Sequence, residues 1–206
     1  MSNSGRIVVG VNPDDPRARR TRARLKAAIL ELVAVKEPGA ITMAEVAQRA
    51  GVNRATVYQH FPDVDAVIAD AMQDTVALVA RAAALCPLDA PDEQTPDPLR
   101  DLFDHIAVNA ALYRRMLSGG GSALFTARMR ERLTSELAES FRAGRRPPGF
   151  AGVPVEMHAA YLAGALIGVI CHWLAAEPPS APGEIAAAFW RLVRTVPVGP
   201  DGVGVR

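Results

Sequence analysis

The sequence is poor in cysteine, in aromatic side chains and in net charge. It carries two cysteines in 206 residues, 5% aromatics and a formal net charge of +1. Cys86 and Cys171 lie far apart in apolar, helix-patterned surroundings. That excludes a disulfide scaffold and points to buried free thiols in a reducing compartment. No long alternation of β-branched residues occurs, which excludes a sheet-based core and places the chain in the all-α class. The opening MSNSGRIVVGVNPDDP lacks the basic start, apolar run and small-residue cleavage site of a signal peptide, so a cytoplasmic location is expected. Catalytic signatures are missing as well. There is no G-x-S-x-G and no cysteine in a catalytic context. Gly119-Gly120-Gly121 lacks the G-K-[ST] of a phosphate loop and follows no strand, so it reads as a flexible connection. His105, His158 and His172 have no second ligand at helical spacing. The expectation is a protein that is not an enzyme and has no metal or cofactor.

What is present is apolar and helix-forming. Half the residues are hydrophobic, alanine is abundant, and Arg far outnumbers Lys. The small net charge hides an asymmetry. Residues 1–60 hold ten Lys/Arg against five Asp/Glu, a balance of +5, and the rest hold thirteen against seventeen, a balance of −4. A basic head on an acidic body suits a module that meets phosphate at one end.

That head contains ITMAEVAQRAGVNRATVYQHFPD, residues 41–63. Thr42 and Glu45 form a capping box, so a helix is expected from Met43. Val46, Ala47 and Ala50 recur at helical spacing, and Gly51 supplies a left-handed cap. Asn53 caps a second helix, Arg54 to Phe61, which Pro62 ends. Val57 and Phe61 face inward; Arg54, Thr56, Tyr58, Gln59 and His60 carry donors suited to phosphates and base edges. A small core helix pair with a solvated polar side is the competing reading of these residues alone. The segment resembles the DNA-binding half of TetR/AcrR-type bacterial transcriptional regulators, whose pattern runs T-x-x-x-[IV]-A-x-x-A-G-V-S-x-x-[TS]-[LV]-Y-x-[HY]-F-x-x-K. Thr42, Val46, Ala47, Ala50, Gly51, Val52, Thr56, Val57, Tyr58, His60 and Phe61 match it in register. Asn53 replaces the usual Ser or Thr and caps equally well. Val64 replaces a common lysine, which removes one backbone contact the resemblance would imply.

Around this core the chain reads in order. Residues 1–16 are expected to be a disordered tail. A first helix carries the stripe Leu25, Ile29, Leu32, Val33 and ends near Glu37. Arg17, Arg19, Arg20, Arg22 and Arg24 crowd its start, where cations oppose the helix dipole, so an anionic partner explains them better than helix stability does. From Asp63 one long helix is expected to run to about Leu85. Helices follow at about Pro98–Val108, Ala110–Leu117 and Ala123–Arg142. The apolar stretch Val155–Ala176 is long enough to span a bilayer, but Glu156, His158 and His172 argue against that. As part of a soluble protein it should be buried on all sides. A last helix at Glu184–Val196 precedes a flexible tail, 197–206. The total is about nine helices.

The resemblance implies a DNA-binding domain over 17–62 and a helical effector-binding and dimerisation domain over 63–196. The expected function is a DNA-binding transcriptional regulator, by default a repressor, that grips a palindromic operator as a homodimer and is released by a small apolar ligand. Arg54 and Gln59 are candidates for base edges. Arg19, Arg20, Arg22, Thr42, Asn53, Ala55, Thr56, Tyr58 and His60 complete the candidate DNA surface. Phe103, Tyr113, Met116, Phe125 and Met129 are candidates to line an effector pocket, with plain core packing the competing reading for each. Tyr161, Gly164, Gly168, Cys171, Phe189 and Leu192 are candidates for the dimer face. A body that docks a protein partner, with no small effector, is the alternative.

Overall fold

The computed structural model describes residues 15–87, 94–117, 121–147, 149–150, 152–177 and 179–193. Helix α1 (Pro16–Val35) begins where Asp15 accepts a hydrogen bond from the Arg17 amide at 2.8 Å and Pro16 takes the first turn. Those two residues therefore start the helix, and they do not belong to the tail expected over 1–16. Leu25, Ala28, Ile29, Leu32 and Val33 form its buried stripe. It stops at Val35, two residues before the expected Glu37, and a 3-10 turn covers Pro38–Ala40.

Helices α2 (Met43–Ala50) and α3 (Arg54–His60) pack with α1 into a three-helix head. Both ends of α2 follow from local chemistry. The Thr42 hydroxyl accepts from the Glu45 amide while the Glu45 carboxylate accepts from the Thr42 amide. Gly51 then adopts φ 62° and ψ 40°, a left-handed pair that a side chain would strain.

The body starts with α4 (Val64–Ala71), which Asp63 caps, and α5 (Gln73–Leu85). The single long helix expected over 63–85 is thus two helices, broken at Met72, whose φ −90° and ψ 5° leave the helical basin. The reason is packing: α4 lies against α1 and α8, whereas α5 lies against α8 and α6, and one straight rod does not serve both. Then come α6 (Asp97–Val108), α7 (Ala110–Leu117), α8 (Ala123–Arg142), α9 (Val155–Ala175) and α10 (Pro182–Val193). The described residues therefore hold ten α-helices, one more than expected, and no strand. The stretches 1–14 and 194–206, with the tail expected over 197–206, lie outside them.

Helix α8 is the spine of the body, touching α4, α5, α7 and α9. Helix α6 pairs with α10 and closes the side of the core that holds Phe103, Trp173, Phe189 and Trp190. The Phe103 and Trp173 rings meet edge-on at 5.6 Å. One hydrophobic cluster runs unbroken from Leu25 in the head to Val193 in α10.

Helix α9 has the length and apolarity of a membrane span, yet half of that apolar window is buried inside the fold. Burial on all sides is not what is seen. One face, carrying Met157, Tyr161, Gly164 and Gly168, stands open.

Candidate nucleic-acid interface

Two residues hold α3 on the head. Val57 is fully buried and Phe61 nearly so. With these turned inward, the helical period places Arg54, Ala55, Tyr58 and Gln59 outward, and all four are exposed. Asn53 is spent on capping, its side-chain oxygen accepting from the Ala55 amide at 2.8 Å. The Arg54 guanidinium lies 5.6 Å from the centre of the Tyr58 ring and donates to its hydroxyl at 3.3 Å. This contact orders a long cation on the outer face before any ligand arrives. Thr56 and His60 flank the face and are half-buried. Burial and then the nearby Arg22 charge push the His60 imidazole below its usual pKa, so it is neutral at pH 7 and adds no cation.

The arginines at the start of α1 divide into two sets. Arg19 and Arg20 are exposed, with side chains that pair with nothing among the described residues, as is Arg17. Arg22 is different. Its Nε and terminal nitrogen donate to the two carboxylate oxygens of Asp70 at 2.9 and 2.7 Å, and its guanidinium lies 5.0 Å from the Phe61 ring centre. Arg22 thus ties α1 to α4 behind the reading helix, with its side chain still 45% exposed. Arg24 has a structural use too, donating to the Gly51 carbonyl at 2.9 Å and so pinning the corner between α2 and α3. A Cβ built on Gly51 would lie 2.8 Å from that same nitrogen.

Thr42 is exposed, but its hydroxyl is engaged twice with Glu45. Lys36 adds a 2.6 Å ion pair to the same carboxylate, and together these hold the Glu45 pKa down at about 2. Thr42 can therefore present the start of α2 to a phosphate more readily than it can offer its hydroxyl. Val64, at the position where a lysine is common, packs half-buried against the core.

The body residues fall out differently. Phe103, Tyr113, Met116, Phe125 and Met129 all have zero exposure and pack in the core, and none of them lines the α5–α6 or the α9–α10 cleft. Of the candidate dimer face, Tyr161 and Leu192 are 66% and 67% exposed, and Gly164 and Gly168 are open enough that a Cβ on either meets nothing within 4 Å. Cys171 is half-buried. Phe189 is buried within the chain itself, so it supports that face from beneath and does not stand on it. Cys86 and Cys171 are free thiols, and burial pushes the Cys86 pKa up to about 12.

Residues 25–71 match the family described as bacterial regulatory proteins, tetR family, and residues 93–195 match a transcriptional regulator C-terminal region. The chain belongs to the TetR family. A curated HTH-type transcriptional regulator of Mycobacterium bovis is 41% identical over 54 residues, 26% of this chain and 27% of that protein. The match thus spans about a quarter of that relative's length. Solved structures agree in fold. A TetR-family regulator of Syntrophomonas wolfei superposes with a TM-score of 0.65 at 18% identity, covering 88% of this chain and 97% of that one. The TetR-family repressor AlkX of a Dietzia species gives 0.56 at 19% identity, covering 89% and 96%. Membership in the TetR family makes this chain a relative of DNA-binding transcriptional regulators, none of the matched families being enzymatic.

Sequence reading alone missed Asp70, the acceptor that pairs with Arg22. A signal for it exists: an aspartate among the buried residues Val67, Ile68 and Ala69 needs a partner.

Proposed function

We propose that this TetR-family chain is a homodimeric repressor that lays α3 into the major groove of a palindromic operator and is released by a small apolar effector. The observation that carries the reading is the outward face of α3, where Arg54, Ala55, Tyr58 and Gln59 are exposed, together with the exposed Arg19 and Arg20 at the start of α1. Arginine pairs with the acceptor edge of guanine and glutamine with adenine, so Arg54 and Gln59 are assigned to bases. Arg19, Arg20, Thr56, Tyr58 and His60 are assigned to phosphates, with Thr42, Asn53 and Ala55 placing the starts of α2 and α3 against the backbone. A single short helix reads only a few base pairs, and a two-fold pair of heads doubles the site. The open apolar face of α9 and α10, with Tyr161, Gly164, Gly168 and Leu192, supports a second copy of the chain as its cover. Selection of bound fragments from random duplexes tests the reading. A symmetric consensus with half-site centres about one helical turn or more apart is the expected result. No preference for any duplex over competitor at moderate ionic strength overturns it.

A further inference from the structure

Helix α7 is short, and Tyr113 and Met116, both fully buried, seat it in the core. The two arginines between them reach different neighbours. Arg114 donates from Nε to the Leu174 carbonyl at 2.8 Å. Arg115 donates to the Val33 carbonyl at 2.8 Å and to the Ala34 carbonyl. Leu174 lies in the last turn of α9, and Val33 and Ala34 lie in the last turn of α1. A helix leaves its final carbonyls unpaired and ends in a partial negative charge, so a guanidinium suits both places. Two adjacent side chains thus clasp the ends of two helices, one in the head and one in the body.

The far end of α7 is held as well. Cys171 Sγ of α9 lies 4.0 Å from the Leu117 carbonyl. Gly121 approaches the end of α7 so closely that a Cβ on it would lie 2.2 Å from the Met116 carbonyl oxygen. The same glycine lines a crevice with Thr42, Tyr58 and Pro62 of the head. The body therefore grips α1 at two points: Asp70 holds Arg22 near its start, and Arg115 holds Val33 and Ala34 near its end. Arg22 and Val33 stand about 17 Å apart along the axis at 1.5 Å per residue. One attachment would leave the head free to pivot, whereas two at that separation fix its tilt.

We propose that α7 is the strut that sets the separation of the two heads, with Arg114 and Arg115 as its positioning residues. The inference rests on the reading above, in which a second copy covers the open face of α9 and the two heads share one operator. Under it, α9 is fixed relative to the two-fold axis. Arg114 then fixes α7 to α9, and Arg115 fixes α1 to α7. The operator makes such placement matter. One added base pair moves a half-site by about 3.4 Å and turns it by about 35° around the duplex. A head that swings accepts both sites; a head held at two points accepts one.

The test uses the full chain and duplexes that carry two copies of the selected half-site. One has the selected spacing, others are longer or shorter by one base pair, and a further duplex has a single half-site. The wild type should prefer the selected spacing. Arg114→Met and Arg115→Met keep the apolar stem and lose the donors. Each should reduce that preference about three- to ten-fold, the worth of one hydrogen bond. Base preference within a half-site, and affinity for the single half-site, should stay as in the wild type. Arg132→Met, which breaks an exposed pair with Glu136 on α8, should leave the spacing preference unchanged. Melting curves check that each variant is folded. Arg115→Met also loosens the head's own first helix, so Arg114→Met, whose partner is in the body, decides where the two differ. Spacing preference kept by Arg114→Met, an equal loss on every duplex including the single half-site, or the same loss in Arg132→Met overturns the proposal and leaves the regulator reading standing. A wild type that holds all spacings alike overturns it too. A wild type that prefers no duplex over competitor removes the regulator reading, and the strut's role with it.

Discussion

Asp70 on α4 takes both faces of the Arg22 fork, at 2.7 and 2.9 Å, and Lys26 closes on the same carboxylate at 3.3 Å. The carboxylate is 11% exposed, while the two cations are 45% and 33% exposed. Burial works to raise the Asp70 pKa, but the Arg22 hydrogen bond and the two charges outweigh it and the net direction is down. Removing the acceptor leaves two cations facing each other across the joint between α1 and α4. Asp70→Asn is expected to cost about 1–2 kcal/mol, above an exposed pair and below a fully buried one. A double-mutant cycle with Arg22→Met should show coupling in the melting curves; simple additivity would mean that the fork contributes nothing to the fold.

Arg22 and Arg20 should consequently behave in opposite ways. Arg20→Ala and Arg19→Ala are expected to leave the melting temperature alone and to lower the slope of log K against log salt by about 1 each. Arg22→Ala should lower the melting temperature and change the salt slope little. Filter binding across a salt series, beside thermal melts, separates the two. An unchanged slope for both Arg19→Ala and Arg20→Ala would remove the basic start of α1 from the DNA surface.

At the reading face, Arg54→Ala is expected to cost about 1–3 kcal/mol on the selected site and to relax preference at one base position. Tyr58→Phe removes the hydroxyl that Arg54 now touches and should weaken specific and random duplexes alike. Competition assays with point-changed sites supply the comparison. Equal losses for Arg54→Ala on specific and random DNA would place that side chain on phosphate.

What could be read from the chain was what local chemistry decides. The capping box of Thr42 and Glu45, the left-handed Gly51 and the Asn53 cap set α2 and α3 to within a residue of their observed limits. The break at Met72 has no such mark. Neither proline nor glycine is nearby, the apolar period continues through it, and the cause lies in two helices packed on either side of it. Arg22 was legible in part. It falls on the stripe Ala18, Leu25, Ile29, four after one buried neighbour and three before the next, whereas Arg19 and Arg20 fall off it. The effector candidates are a different case. Residue type does not tell a packed wall from a cavity wall, and Phe103 or Met129 satisfies either.

The α2 cap carries a pH dependence. Lys36 and then Thr42 hold the Glu45 carboxyl at about 2 against an ordinary 4.5. A carboxyl depressed by folding adds stability that is complete above its unfolded pKa and is lost as pH falls through the folded one. The contribution of Glu45 should therefore be full above pH 4.5 and fade as pH drops toward about 2. Melting curves across that window are expected to flatten in Glu45→Gln. If the substituted chain keeps the slope of the natural one, the box is not the source.

Arg115 reaches from α7 to the far end of α1. It donates to the Val33 carbonyl at 2.8 Å and to the Ala34 carbonyl, and Glu37 stands 3.9 Å from its Nε. The last carbonyls of a helix have no partner inside it, and they carry the negative end of its dipole, so a guanidinium there both satisfies and neutralises them. The contact also joins body to head by a second route, independent of α4. With 29% of the side chain exposed, solvent can replace part of what is lost, and Arg115→Met is expected to cost about 1–2 kcal/mol. The loss should be local. Amide exchange should accelerate at Lys36, whose N–H closes the final turn on Leu32, and stay unchanged in α6. Uniform acceleration across the chain would mean that Arg115 serves general stability and holds no particular grip on the end of α1.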